Sequence, residues 1–247
     1  MATQRKISGR VSRDTIRMFE IPRLPKKIVD GYSRLVNLTA PVSDAMDNLG
    51  LAGTVPASVL QPVTPGKRAV GQAVTVRNVE SKQSVFRKVS EKSNRTGSPD
   101  AFNIARPGDV IVIEGLLGVS NLGGHSATIC HRQGCSGAVV DGSIRDPDAS
   151  RELGFPVWSR GITPITGKWR YDTVEINGTV RIGGIPVAPG DLVLADSAGV
   201  VFVPREHAAA VLNEARRIEE KDVKAERAIN AGVDVLALAQ SKFKKKR

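Results

Sequence analysis

The spacing of apolar residues predicts a mixed α/β chain. Continuous or alternating apolar runs, bounded by Gly, Pro or Asp, predict strands at residues 69–77, 109–114, 136–142, 185–187, 191–195 and 199–203, with another near Val157. Helical spacing and end signals predict helices at residues 26–35, 43–50 and 205–231, and a Gly-rich turn leading into a helix at residues 121–134. Because no repeat or linker interrupts this order, we predict one α/β domain.

Local end signals refine three of these elements. Ser43 is a plausible N-cap and Gly50 a plausible stop for the second helix. Asn177-Gly178, between residues 173 and 182, is a strong signal for a two-residue β-hairpin. The polar stretch 81–105 is predicted to hold a helix and a loop, and together with residues 161–172 to form pocket walls.

The last helix has one regular apolar face. Its positions 208, 211, 215, 218, 222, 225 and 229 read Ala, Val, Ala, Ile, Asp, Ala and Ile, and Gly232 ends it. Such a face packs either on the protein's own sheet or across a subunit boundary, and the sequence leaves both open.

Composition is that of an ordinary globular protein. The chain has 247 residues, 40% hydrophobic and 25% charged, and no apolar run approaches the roughly 20 residues that span a bilayer. Two cysteines are too few for a disulfide scaffold. We therefore expect a cytoplasmic protein without a membrane partner.

The net charge of +11 is concentrated at the two ends of the chain. We predict basic arms at residues 1–25 and 240–247 around a domain at residues 26–239. We interpret these arms as solvated tails; a grip on nucleic acid or other anionic surfaces is the alternative. Aromatic residues make up only 4% and do not interleave with the basic runs, so nucleic acid is not the expected partner.

The segment Asp141-Gly-Ser-Ile-Arg-Asp146 is the best candidate for chemistry. A buried strand delivers an Arg–Asp pair at its carboxyl end, where loops commonly carry functional groups over a rigid base. The guanidinium of Arg145 has a planar fork that fits a carboxylate, and the carboxylate of Asp146 can hold a hard divalent cation. Both groups suit a 2-oxo acid; a surface ion pair is the alternative.

The segment Asn121-Leu-Gly-Gly-His-Ser-Ala-Thr128 adds a candidate anion site. Gly123 and Gly124 stand just before a predicted helix, whose free N–H groups and dipole favour a negative charge. A plain strand-to-helix turn is the alternative, and His125 could also reach a substrate.

Other constellations are less favoured. His125, Cys130, His131 and Cys135 do not have the paired spacing of structural zinc sites. Asp44 and Asp47 either help the site or favour the start of their helix, and we prefer the second interpretation. Ser126 has no obvious His–Asp relay, so serine nucleophilic catalysis is not expected. No lysine stands out as a Schiff-base former, and this absence favours a metal ion as the group that would stabilise an enolate of a 2-oxo acid.

These segments resemble one protein family. Gly123-Gly-His-Ser-Ala-Thr128, Val140-Asp-Gly-Ser-Ile-Arg-Asp146 and Phe155-Pro-Val-Trp158 are similar to the signature of the family that includes 4-hydroxy-4-methyl-2-oxoglutarate aldolase and the regulator of ribonuclease activity A. Supporting similarity lies in residues 42–50, 71–76, 107–112 and 187–196. The resemblance covers about residues 38–215. It implies a single compact domain with a layered β/β/α core, similar to swivelling domains, assembled as homotrimers or homohexamers.

The resemblance also implies an activity and residue roles. The implied activity is class II pyruvate aldolase chemistry with Mg²⁺ or Mn²⁺, often with oxaloacetate decarboxylation; the alternative is a non-catalytic regulator that binds a ribonuclease or RNA. Asp146 matches the metal-binding residue and Arg145 the substrate-binding one. The amides of His125 and Ser126 match those that hold the pyruvyl carboxylate. Many aldolases of the family carry Glu where this chain has Gly124, so the substrate's distal half is open.

Overall fold

The computed structural model describes residues 6–234 and 236. Its helices are α1 (Lys26–Ser33), α2 (Thr39–Asn48), α3 (Val85–Ser90), α4 (Ser98–Ile104), α5 (Gly124–Arg132), α6 (Pro147–Glu152) and α7 (Ala208–Asn230). Its strands are β1 (Thr54–Pro56), β2 (Gln61–Pro62), β3 (Ala69–Glu80), β4 (Val110–Glu114), β5 (Gly137–Ile144), β6 (Val157–Ile162), β7 (Tyr171–Ile176), β8 (Val180–Ile182), β9 (Ile185–Val187), β10 (Leu192–Asp196) and β11 (Gly199–Val203). The predicted strands are all present, although several bounds shift by one to three residues.

One long strand joins the two halves of a curled sheet. The first part of β3 pairs antiparallel with β10, and its later part pairs parallel with β4 and antiparallel with β7. The path through the sheet is β1-β11-β10-β3-β4-β5-β6-β2. The three consecutive strands β4, β5 and β6 are parallel, so their carboxyl ends lie at the same edge.

Strand alternation creates separate apolar layers. Val110, Val112 and Val139 face inward, between the two halves of the sheet, with Trp158 and Phe202. Their neighbours along the strands face outward. One outer layer packs under α4 and α5, and the other packs under α1, α2 and α7. The prediction of one α/β domain with a layered β/β/α core is confirmed, with helices covering the second sheet half as well. Within the described residues, no helix has the length and hydropathy needed to cross a membrane.

Residues 6–25 are packed on the domain, so the expectation of a solvated amino-terminal arm is wrong for them. Val11, Ile16 and Ile21 are buried in the core. Arg17 forms an ion pair with Glu175, and Arg23 forms one with Asp109. The predicted carboxyl-terminal tail, residues 240–247, lies outside the described residues.

The second helix begins earlier than predicted. Ser43 is not its N-cap, because α2 starts at Thr39, whose N–H and hydroxyl both donate to Asp196 at the end of β10. This tertiary anchor replaces a local cap. With that start, Asp44 and Asp47 lie outside the first turn, so the preferred interpretation of these two residues is also wrong.

The predicted hairpin at Asn177-Gly178 does not form. The strand before the turn, β7, pairs with β3, and the strand after it, β8, pairs with β9. Asn177 does adopt the left-handed conformation typical of this turn, with φ of 53°. It is buried, its N–H donates to Thr75 O, and its amide group donates to Met18 O. Tertiary partners therefore decide the pairing.

The apolar face of the last helix is only half covered. Ala208, Val211 and Ala215 are buried against the domain's own sheet, whereas Ile229 is exposed. Residues 205–207 form a 3-10 turn before the α-helix begins.

Candidate functional site

Two loops meet at the carboxyl end of β5. The N–H of Asn121 donates to Ser143 O at 2.8 Å, and the N–H of Arg145 donates to Leu122 O at 3.0 Å. The residues before α5 therefore run beside the end of β5. This pairing places Gly123 and Gly124 next to Arg145 and Asp146.

A buried asparagine fixes the loop that leads into α5. The amide of Asn121 donates to Leu116 O and Val119 O, and its Oδ1 accepts from Leu116 N. The packing is tight, because a Cβ at Gly142 would lie 2.7 Å from the Asn121 amide nitrogen. No local sequence signal marks this side chain, which holds the loop at the end of β5 in place.

The first turn of α5 presents backbone donors. Gly123 is its N-cap, with extended φ and ψ and no side-chain cap. The N–H of Gly124 donates to Asp146 Oδ2 at 3.1 Å. The N–H groups of His125 and Ser126 belong to the same first turn, where intrahelical partners are lacking and the helix dipole favours an anion.

Arg145 and Asp146 lie side by side at this turn. Arg145 Nε is 3.3 Å from Asp146 Oδ2, and the two side chains are 39% and 51% exposed, so both can reach a ligand. Asp146 has φ of 55° and ψ of 51°, which is the left-handed region. Non-glycine residues there cost free energy, although Asp and Asn tolerate it better than others.

A cavity of about 220 Å³ opens over this turn. Its walls include Arg145, the first turn of α5, and residues 94–99 and 166–171. The prediction that residues 81–105 and 161–172 contribute pocket walls is confirmed. Arg10, Arg145 and Lys168 line the cavity, and no acidic side chain does so among the described residues. The cavity therefore favours an anionic ligand.

Tyr171 forms part of the same wall. Its side chain is buried, and desolvation raises the pKa of its phenol above the ordinary value. Because a raised pKa keeps the hydroxyl protonated near neutral pH, Tyr171 is a neutral hydrogen-bonding group there and not a base.

A family model described as RraA-like, Aldolase/RraA, matches residues 39–202, well over half of the chain. The chain belongs to the RraA-like family. The family resemblance seen in the sequence is therefore confirmed, and the cavity over α5 lies largely within the matched part.

Three relatives show the range of this RraA-like family. A protein of Halalkalibacterium halodurans named "Putative 4-hydroxy-4-methyl-2-oxoglutarate aldolase" is 34% identical over 197 residues, which cover 79% of this chain and 86% of that protein. A solved uncharacterized protein from Pseudomonas syringae is 29% identical with a TM-score of 0.75, covering 91% and 98% of the two chains. Streptomyces coelicolor RraAS2, titled an unusual member of the RNase ES inhibitor RraA protein family, is 27% identical with a TM-score of 0.69, covering 83% and 98%.

The structure of this RraA-like protein brings together every residue that the sequence placed in the site. Gly123, His125, Ser126 and Arg145 line the cavity, and Gly124 and Asp146 are joined by a hydrogen bond beside it. Their chemical roles stay predictions.

Other acidic candidates lie elsewhere. Asp141 pairs with Arg160 and accepts from Gly183 N, so it holds the small β8–β9 ribbon. Asp44 and Asp47 are on α2, which packs under the opposite half of the sheet.

Two cavity residues could not have been found from local sequence signals. Arg10 comes from the segment predicted to be a solvated arm, and Tyr171 begins a strand about 25 residues after the Arg–Asp pair. Neither stands in a recognisable motif.

Proposed function

We propose that this protein is a divalent-metal-dependent pyruvate aldolase that cleaves a 4-hydroxy-2-oxo acid, with oxaloacetate decarboxylation as a related activity. The observation that carries the proposal is the meeting of the α5 amino terminus with Arg145 and Asp146 over an anion-favouring cavity. Several relatives are named as 4-hydroxy-4-methyl-2-oxoglutarate aldolases, which supports the proposal.

The pyruvyl end of the substrate binds at the first turn of α5. The N–H groups of His125 and Ser126 donate to the substrate carboxylate, and the helix dipole adds a favourable field. Arg145 has a planar fork, so it can contact the carboxylate and the C2 oxygen together. Gly123 keeps this approach open, because a Cβ there would lie 3.1 Å from Arg145 Nε.

The carboxylate of Asp146 fits the metal that the family implies. Its Oδ2 accepts from Gly124 and contacts Arg145, while Oδ1 has no hydrogen bond within the described residues. Those residues contain no group of three or more His, Cys, Asp or Glu placed so that they could hold a metal ion together. One carboxylate with water and substrate is a usual environment for Mg²⁺. When bound, Mg²⁺ or Mn²⁺ supplies Lewis-acid polarisation of the 2-oxo group.

Cleavage breaks one carbon–carbon bond and transfers one proton. Water accepts the proton of the C4 hydroxyl, the C3–C4 bond breaks, and C4 leaves as a carbonyl compound. The electron pair of the broken bond forms the enolate of pyruvate, whose charge lies on the C2 oxygen beside Arg145. Protonation at C3 then yields pyruvate.

A substrate panel with pyruvate detection tests the proposal. The purified full chain with added Mg²⁺ or Mn²⁺ is expected to release pyruvate from 4-hydroxy-2-oxo acids or oxaloacetate, and EDTA is expected to stop the release. Inactivity on a broad panel with both metals, together with salt-insensitive binding of RNA or a ribonuclease, would instead support a regulatory function such as the one for which the family of the Streptomyces relative is named.

The contact between Gly124 and Asp146 can be tested by substitution. Gly124 is the first residue of α5 and follows an extended Gly123, so the backbone accepts proline, whose ring carbon replaces the N–H and displaces the Asp146 carboxylate. Gly124→Ala keeps the N–H and adds the same Cβ, 3.1 Å from Ala149 Cβ. We expect Gly124→Pro to need about tenfold more metal for half-maximal activity than Gly124→Ala, as for lost hydrogen bonds to metal ligands. Equal metal requirements would show that this contact does not orient Asp146.

We also propose that the protein is a homotrimer or homohexamer. Exposed apolar side chains support association, among them Phe86, which is 85% exposed, and Leu117 and Ile162. Light scattering at micromolar concentration is expected to give a mass of three or six times 26.4 kDa. A mass of one chain would contradict this expectation.

A further inference from the structure

A second cavity, of about 860 Å³, adjoins the first one. The two share Arg10, Asn94 and Lys168 as lining residues, so they meet along these three side chains. Lys92 and Arg95 also line the second cavity. Among the described residues that line it there are four basic side chains and no acidic one.

Hydrogen bonds and a buried neighbour fix the backbone on both sides of Arg10, which lines both cavities. Ser8 donates from its N–H and its hydroxyl to the buried carboxylate of Asp100, at 2.6 and 2.7 Å. The N–H of Arg10 donates to Ser8 Oγ, and its Nη1 lies 3.5 Å from Thr96 Oγ1. Val11, the next residue, is buried in the core. The segment is therefore anchored on both sides of Arg10.

Lys168 is a second basic residue that lines both cavities. The side-chain ammonium of Lys168 lies 4.4 Å from the centroid of the Trp169 ring, and its backbone N–H donates to Thr166 Oγ1. Arg10 lies outside residues 39–202, whereas Lys168 lies within them. One cation is thus supplied by a segment that the family model does not match.

We propose that Arg10 and Lys168 bind a second carboxylate, at the end of the substrate opposite its 2-oxo acid group. This inference rests on the proposed function, because it takes the pyruvyl end to be fixed by α5 and Arg145. The chain of a 2-oxo diacid, the class to which 4-hydroxy-4-methyl-2-oxoglutarate belongs, then extends from the first cavity toward the second one. Like-charged side chains around one depression repel each other, and a bound carboxylate relieves that repulsion while gaining charge-assisted hydrogen bonds.

Two ligands of equal chain length isolate the distal carboxylate. 2-Oxoglutarate and 2-oxopentanoate share the 2-oxo acid end and differ in having a carboxylate or a methyl group at the far end. Calorimetric titration of the full chain with Mg²⁺ at low salt gives the dissociation constant of each. We expect the wild type to bind 2-oxoglutarate about tenfold or more tightly than 2-oxopentanoate, as for a gained charge-assisted contact.

Single-charge variants then locate the contact. Arg10→Gln and Lys168→Gln are each expected to weaken 2-oxoglutarate binding by roughly five- to tenfold and to leave 2-oxopentanoate binding nearly unchanged. Arg34→Gln is the control, because it removes the same charge from an exposed position at the end of α1. It is expected to change the binding of neither acid. Arg145→Lys is expected to weaken both ligands alike.

Each outcome decides between specific claims. Equal affinity of the wild type for the two acids, or equal loss of both in Arg10→Gln and Lys168→Gln, would overturn the distal site and leave the proposed function standing. Failure to bind either acid would overturn the proposed function and this inference with it. An equal effect of Arg34→Gln would show general charge attraction in place of a site.

Discussion

Asp146→Asn is expected to reduce pyruvate release by about 100-fold or more. Asparagine tolerates the left-handed backbone found at this position, and its amide oxygen can still accept from Gly124 N–H. The substitution therefore removes the negative charge while keeping the local fold. Loss of Lewis-acid stabilisation, which is worth several kcal/mol, accounts for an effect of this size. Steady-state rates at saturating Mg²⁺ measure it.

A neighbouring carboxylate provides the control. Asp148 lies two residues further on, is 80% exposed and pairs with Arg151 on the surface of α6. Asp148→Asn is expected to keep the wild-type rate, because a surface ion pair contributes little. Comparable rates for wild type and Asp146→Asn would show that Arg145 and Asp146 are an ordinary surface pair.

Arg145→Lys is expected to lower kcat/KM by roughly tenfold or more, which corresponds to about 1.4 kcal/mol. Lysine keeps the positive charge but has no planar fork, so it cannot contact the substrate carboxylate and the C2 oxygen together. The rate of Arg145→Lys should stay low at any concentration of Mn²⁺, because added metal does not replace a lost substrate contact.

The control is Arg34→Lys, which makes the same substitution at an exposed position at the end of α1, outside the cavity lining. It is expected to behave as wild type. If raising Mn²⁺ restored the rate of Arg145→Lys, then Arg145 would act through the metal site and not on the substrate.

Most strands could be predicted because a strand that is buried on both faces has a nearly continuous run of apolar residues. The runs that became β4 and β11 are almost entirely apolar, and Gly, Pro or Asp residues mark their ends. Pairing could not be predicted in the same way. Asn177-Gly178 carries a hairpin signal, but β7 finds its partner in β3, about 95 residues earlier. The turn preference of Asn177-Gly178 is outweighed by the burial that β7 gains when it pairs with the long strand β3.

The packing of the amino-terminal segment also could not be predicted from the spacing of its apolar residues. Val11, Ile16 and Ile21 are buried but are separated by five residues each, which fits neither helical nor strand spacing. Basic residues between them, and the prolines that follow Ile21, indicate a solvated arm. The segment instead packs as irregular chain, anchored by ion pairs such as Arg17 with Glu175.

The central part of the candidate site was predictable because its residues are local to two short segments. The glycines before α5 and the Arg–Asp pair after β5 each lie at an element end, where functional groups concentrate. Arg10 and Tyr171 reach the cavity only through the tertiary fold. No spacing rule connects them to Arg145, so the sequence alone could not place them.

Enolate formation can be measured without knowing the distal half of the substrate. In deuterated buffer with Mg²⁺, the protein is expected to exchange the C3 protons of pyruvate, followed as loss of the methyl proton signal in NMR spectra. EDTA and Asp146→Asn should each reduce exchange to the uncatalysed rate, and Asp148→Asn should not. Exchange by the wild type no faster than in buffer alone, at saturating pyruvate and with either metal, would contradict the account.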